Sequence, residues 1–337
     1  MVHIIAEAGS NYNGSVPLAF KLNDCAVKAG ADSVKYQVIY PEGLYRPGQY
    51  PYGHYDIKEV IKIREDAVLD DEDWLAVCLD ARDRGIDFSA SIFDRRGLEL
   101  LCRFEPRYIK IASCDLNNLR FLRMVAERNV RMVVSTGMAS LSDIEKAVVE
   151  LDRAGVSGEK LVLLHCVSVY PSLLKDTNLN FIRVLRRAFG TDVGFSDHTL
   201  TTEAACVAVS LGASWIEKHF TLDKSLPGLD HKYAMDSEEF SNYVATIRAT
   251  EEAVSPTLRK LTVAERDTRC RARRGVYVAK DLPAGHVLGS DDIAVLRPES
   301  EIAADKIDEI VGATLLRNLA AYEALGVGDL VWPEPCK

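Results

Sequence analysis

Eight short runs of β-branched and apolar residues, separated by helix-like segments, constrain this chain more than any other feature of its sequence. They read HIIAE (3–7), SVKYQ (33–37), DFSAS (87–91), YIKIAS (108–113), MVVST (132–136), LVLLHCV (161–167), VGFSD (193–197) and WIEKHF (215–220). Several are near-continuous apolar runs, the pattern of parallel strands covered on both faces. Between them, Leu18, Leu22, Cys25, Ala26 and Ala29 make one helical apolar face, and Leu75, Leu79 and Ala81 begin another. Gly30, Gly85, Gly155 and Gly212 each follow a helix-like segment and suit a left-handed cap leading into the next strand. Eight strand–helix units over residues 1–255 predict an α/β fold, a (β/α)8 TIM barrel. An open doubly wound sheet has the same rhythm and is the alternative.

After a linker at 256–275 the texture becomes strand- and turn-rich, and residues 276–337 read as a second, small β domain. Within it DLPAGHVLGSDDI (281–293) aligns with NLAAYEALGVGDL (318–330) at five of thirteen positions, which suggests a pseudo-symmetric module. RCRARR (269–274) carries four arginines with no interleaved aromatic residues, so an arginine-rich linker is preferred over a nucleic-acid arm. The formal charge of -9 argues against a broad nucleic-acid or anionic-membrane surface. No apolar run approaches the ~20 residues that span a bilayer. The start, MVHIIAEAGSNYNG, lacks a basic signal region, and the eight cysteines form no CxxC pair. The expectation is a cytoplasmic enzyme with reduced thiols.

Polar residues crowd the ends of the predicted strands, where a parallel barrel carries its active site. They are Glu7; Lys35 and Gln37; Ser89 and Ser91; Lys110, Ser113 and Asp115; Ser135 and Thr136. His165 and Ser168, then Ser196, Asp197 and His198, then Glu217, Lys218 and His219 complete the ring. Lys35 and Lys110 should point inward, and with Ser113, Ser135 and Ser196 they suit a phosphate or carboxylate. His198 and His219 close neighbouring strands and would suit one divalent ion, although core histidines are the alternative. Two histidines are one short of a catalytic zinc set, which favours Mn2+ or a related ion completed by water and substrate oxygens. Glu7, Asp115 and Asp230 are the candidate carboxylates. His165 and Cys166 are adjacent on one strand and face opposite ways, so they form no dyad.

These segments resemble the sialic acid synthase (NeuB-like) family: IIAEAGSNYNGS (4–15), AGADSVKYQ (29–37), YIKIASCDLNN (108–118), STGM (135–138), HCVSVYP (165–171), GFSDHT (194–199), EKHFT (217–221) and GLDH (228–231). RRGVYVAKDLPAGHVL and LRP (296–298) resemble that family's antifreeze-like (SAF, β-clip) domain. The resemblance implies condensation of phosphoenolpyruvate (PEP) with a sugar aldehyde, N-acetylmannosamine-like or a 2,4-diacetamido hexose, to a nonulosonic 2-keto-3-deoxy acid. It implies PEP contacts from Lys35, Lys110, Ser113, Ser135, Ser168 and Ser196, and a metal at His198 and His219, Mn2+ first, Mg2+ or Co2+ otherwise. It assigns Glu7, Gln37, Tyr170, Asp230 and Arg297 to the acceptor, and catalytic roles to Asp115, Glu7 and His198. It also implies a domain-swapped homodimer in which Arg297 reaches the partner's barrel. Alternatives are a related synthase using another aldehyde, or a non-catalytic sugar-binding barrel. Four departures stand out: NYNG (11–14) for the family's NHNG, SASIF (89–93) for STPF, RPES (297–300) for RPGxG, and RRG (273–275) for RRS. All are expected near acceptor recognition or the lid.

Overall fold

The computed structural model describes residues 1–53, 55–254 and 259–332. Cys336 and residues 256–258 of the predicted linker therefore lie outside the described residues. The chain divides into two compact units, Met1–Ser255 and Pro256–Lys337.

In the first unit the eight predicted runs are the strands β1 (His3–Gly9), β2 (Ser33–Val38), β3 (Asp87–Ile92) and β4 (Tyr108–Ile111), followed by β5 (Arg131–Ser135), β6 (Leu161–Cys166), β7 (Asp192–Asp197) and β8 (Trp215–His219). They pair in parallel in chain order, and β8 returns to β1, so the sheet is a closed barrel and not an open one. The register sets Glu7 beside both Lys35 and His219, and Ser91 beside Lys110, which brings their inward side chains to one level. Below that level Ile5, Tyr108, Val133, Val162, Leu164 and Trp215 fill the interior as a buried cluster. Gly194 belongs there because a Cβ would overlap the Trp215 carbonyl and the Leu164 side chain.

The helices cover the outside. Helix Val16–Ala29 buries Leu22, Cys25, Ala26 and Ala29 as predicted, leaves Leu18 half-buried, and is capped by Ser15 and by Gly30 at φ 80°. Helix Asp71–Asp83 corrects the sequence reading. It buries Trp74, Val77, Cys78 and Ala81, while Leu75 and Leu79 are 41% and 46% exposed. Trp74 wins the inward position because it packs against Tyr12, Tyr36 and Phe88, an aromatic cluster with more area to bury than two leucines. No helix among the described residues is long and apolar enough to cross a membrane. The seven cysteines within the described residues are free.

At the start of β1, His3 packs its ring 4.0 Å from that of Trp215, with Nε2 2.9 Å from Ser33 Oγ. Burial, only partly opposed by Asp32, lowers its pKa from 6.5 to about 4. The unfolded chain thus binds a proton near pH 6.5 that the folded chain refuses until about pH 4. Stability should fall as pH drops through that window, with His3 contributing roughly 2–3 kcal/mol of the loss. Urea denaturation across the window should show a shallower fall for His3→Gln than for the parent; identical falls would contradict the assignment.

The second unit pairs β9 (Gly275–Val278) with β10 (Ile293–Leu296), and β11 (Thr314–Leu315) with β12 (Leu330–Val331), both antiparallel. Its internal repeat is visible in the backbone. Leu282 and Leu319 exchange hydrogen bonds at 2.9 Å in both directions. Gly285 N–H donates to Leu315 O as Tyr322 N–H donates to Val278 O, both at 2.8 Å. Asp292 accepts from Gly289 N–H and pairs with Lys280, while Asp329 accepts from Gly326 N–H and pairs with Arg317. Two of the departures from the family pattern also meet here. A Cβ on Gly275 would overlap Ser300, whose Oγ accepts from Val276 N–H at 2.8 Å.

Candidate active site

A cavity of about 540 Å³ opens at the C-terminal ends of the barrel strands. Its floor carries charge. Lys35 and Lys110 are each almost fully buried, and both face Glu217 on β8, at 3.9 and 3.7 Å. Lys35 Nζ also lies 2.6 Å from Glu7 Oε2 and donates to Ser91 Oγ at 2.8 Å. Lys110 Nζ donates to Ser135 Oγ at 2.8 Å. Glu217 accepts from Ser196 Oγ at 3.1 Å, and Glu7 accepts from Gln37 Nε2 at 3.0 Å. Burial disfavours ionised Glu217, but Lys110 and then Lys35 outweigh it and hold the carboxyl at about 2. Burial likewise lowers the pKa of Lys110, with Glu217 opposing. Two ammonium groups shared between two carboxylates leave hydrogen-bonding capacity for an anion entering from above.

Gly137 closes one side. Its N–H donates to Ser113 Oγ at 3.0 Å, and a Cβ there would overlap Ser168 Oγ and crowd Ser113 Oγ and Cys166 Sγ. Glycine thus keeps three polar side chains close together at the cavity wall. Next to Cys166 stand His198 and His219, ring centres 5.8 Å apart, with Tyr170 tilted over His198 at 4.0 Å. His198 Nδ1 lies 2.8 Å from Val167 O, so an N–H there leaves Nε2 as the lone-pair nitrogen. Burial lowers the pKa of His219, against Glu7 and Asp230, which favours its neutral form. Its Nδ1 is buried with no hydrogen-bond partner. Among the described residues no three His, Cys, Asp or Glu side chains form a closed cage. The two imidazoles fit an ion that takes its remaining ligands from water and substrate.

Over residues 22–258 the chain matches the NeuB family. The chain belongs to that family. Residues 273–331 of this NeuB-family chain match the SAF domain. It is 36% identical to the N,N'-diacetyllegionaminic acid synthase of Legionella pneumophila, covering 96% of this chain and 92% of that one. To the pseudaminic acid synthase of Campylobacter jejuni it is 33% identical, over 97% and 96% of the two chains. The crystal structure of the N-acetylneuraminic acid synthetase of Leptospira borgpetersenii superposes with a TM-score of 0.71 at 31% identity, over 79% of this chain and 90% of that one.

Glu7, Lys35, Gln37, Lys110, Ser113 and Ser135 line the cavity of the NeuB-family barrel, as do Ser168, Tyr170, Ser196, His198, His219 and Asp230. Asp115 is not in that wall. The 3-10 turn Ser113–Asp115 presents Ser113 and Cys114 to the cavity, and the carboxylate rests 3.6 Å from Cys114 Sγ. Arg297 belongs to the second unit, directly after β10. Other strand-end residues face the helices: His165 contacts Thr177 O at 2.6 Å, Asp197 caps Thr199, and Lys218 pairs with Asp197 at 3.2 Å. Ser89 donates to Tyr108 O deeper in the barrel. Tyr12 is a further correction. It is 3% exposed, packed on Tyr36 and Trp74, and does not line the cavity, because its ring joins the aromatic core outside the barrel.

The sequence reading gave no role to three contributors, although it placed Glu217 among the polar strand-end residues. Glu217, two residues before His219, shares its inward parity and is the partner of both lysines. Cys166 faces His198 Nδ1 at 3.8 Å, the imidazole on the next strand and not the adjacent His165. Burial opposes its ionisation, but His198 outweighs it and holds the thiol below its ordinary range. Arg64, from the helix Ile57–Asp66, reaches the outer cavity wall.

Proposed function

We propose that this chain condenses PEP with an aldehyde sugar to a nonulosonic acid and phosphate. The observation that carries the reading is the buried Lys35–Glu217–Lys110 floor beneath His198 and His219, in a barrel of the NeuB family. Lys35 and Lys110, with the hydroxyls of Ser113, Ser135, Ser168 and Ser196, bind the carboxylate and phosphate of PEP. His198 and His219 would hold a divalent ion, Mn2+ in the first instance, which would supply polarisation of the aldehyde carbonyl.

In the reaction C3 of PEP attacks the aldehyde carbon, whose oxygen takes up a proton. Water then adds at C2 and gives up one proton, and the C2–O bond to phosphorus breaks as the second passes to the departing phosphate. Phosphate leaves with the bridging oxygen, and the former C2 is the ketone of the product. Glu7, held between Lys35 and Gln37 at the floor, and Asp230 orient the acceptor hydroxyls. The acid/base role toward the water added at C2 is assigned to Asp115, which lies behind the wall in the Ser113–Asp115 turn and whose pKa burial raises against hydrogen bonds from Cys114 and Asn118. Tyr170 packs over His198 and closes the acceptor side. The reading extends to a cytoplasmic, domain-swapped homodimer in which Arg297 of one subunit completes the other's site.

Phosphate release from PEP with Mn2+ tests the proposal. Release should require an aldehyde and should accompany formation of a 2-keto acid. Aldehyde-independent release, or none with any N-acylated hexose, would contradict it.

A further inference from the structure

A side chamber of about 210 Å³ adjoins the main cavity and shares Tyr45, Tyr52, Arg64, Tyr170 and Asp230 with it. Five tyrosines line it, Tyr45, Tyr52, Tyr55, Tyr170 and Tyr233, and its only charged lining groups among the described residues are Arg64 and Asp230. Arg64 borders both the chamber and the main cavity. One guanidinium nitrogen, Nη1, donates to Ser10 Oγ, and Ser10 in turn donates to Asp230 Oδ2 at 3.4 Å. The Nε–H of Arg64 is buried and has no hydrogen-bond partner. No carboxylate lies within ion-pair distance of Arg64 among the described residues.

The chemistry of this chamber is specific. Tyrosine faces suit methyl groups and the C–H surface of a sugar. A phosphate dianion at the same place would find a single cation, Arg64, and a carboxylate, Asp230, in the same wall, without the two or more cationic donors that dianion sites carry. A neutral carbonyl oxygen is satisfied by one donor, and the buried Nε–H of Arg64 is such a donor without a partner. The aldehyde end of the acceptor is committed to the floor and the histidines, so the chamber receives the far end of the sugar.

We propose that Arg64 is a specificity-determining residue that reads the carbonyl of an acylamido group at the end of the acceptor remote from its aldehyde, and that the acceptor is not phosphorylated there. This rests on the condensation reading above. The methyl of the acyl group lies among the tyrosines, while the Nε–H donates to its oxygen.

The test compares the parent enzyme with Arg64→Met and Arg64→Lys on three acceptors: a 2,4-diacetamido hexose, N-acetylmannosamine and N-acetylmannosamine 6-phosphate. The parent should favour the diacetamido sugar. In Arg64→Met its KM should rise by about tenfold or more, the scale of a lost charge-assisted hydrogen bond, and the preference over N-acetylmannosamine should collapse. Arg64→Lys, which keeps the charge but lacks Nε–H, should lose most of the same preference. The KM for PEP, which reports an intact barrel floor, should stay within about twofold. An unchanged preference in Arg64→Met would overturn the proposal. So would a parent enzyme that favours the 6-phosphate and loses that preference in Arg64→Met. In both cases condensation itself stands, whereas silence of the parent with all three acceptors would overturn the condensation reading and this inference with it.

Discussion

Lys110→Met should raise the KM for PEP by at least ~100-fold and also lower the stability of the barrel by roughly 3 kcal/mol. The two effects have one origin. Lys110 Nζ donates to Ser135 Oγ and lies 3.7 Å from Glu217 Oε2, with both charged groups out of solvent. Removing the ammonium takes away an anion donor and leaves Glu217 dependent on Lys35, 3.9 Å away. A buried carboxylate deprived of a partner is costly, whereas removing both members of a pair is much less so. Lys110→Met combined with Glu217→Gln should therefore recover most of the lost stability without recovering PEP affinity. Urea denaturation and PEP saturation curves separate the two. Equal stability of the single variant and the parent would show that the lysine and glutamate do not compensate one another.

His219→Ala should reduce aldehyde-dependent phosphate release by about 1,000-fold, the scale of several kcal/mol of lost polarisation. The side chain sits at the end of β8, buried, with Nδ1 unpaired and its ring 5.8 Å from that of His198. Its ring neighbours are Tyr170 and His198, at the open end of the barrel, so its loss should leave the fold intact. Mn2+ binding, followed by the electron paramagnetic resonance of the free ion, should weaken in parallel, while PEP binding at the lysines persists. His198 should show a pH-dependent share in that binding. Burial disfavours its charged form, but Cys166 outweighs burial and raises its pKa, so an ion must displace a proton there. Full turnover of His219→Ala after chelation would remove the metal assignment.

Strand parity made most of this site legible in the sequence. Lys35 and Lys110 alternate with apolar neighbours that face the helices, and both point inward; His165 and Cys166 point opposite ways, as two adjacent strand residues must. The same parity was sufficient to find Glu217, two residues from His219. Other features depend on packing that no period encodes. Asp115 leaves the wall because the chain makes a 3-10 turn after β4. Leu75 and Leu79 yield the core to Trp74 because an aromatic cluster outside the barrel takes the larger ring. Arg64 and three of its tyrosines, Tyr45, Tyr52 and Tyr55, come from the connection between β2 and β3, whose path over the barrel mouth is set by tertiary contacts with Ser10 and the Asp230 loop. In the small unit the repeat, faint as letters, is plain as hydrogen bonds because backbone pairing tolerates side-chain change.

The fate of the oxygen that bridges C2 and phosphorus tests the central claim most directly. With PEP labelled by 18O at that position, condensation as described must deliver the label to inorganic phosphate. Mass analysis of the phosphate should therefore find it two mass units heavier, with an unlabelled keto acid beside it. Label retained in the organic product would mean that phosphorus, and not C2, is the atom attacked, and would contradict the account.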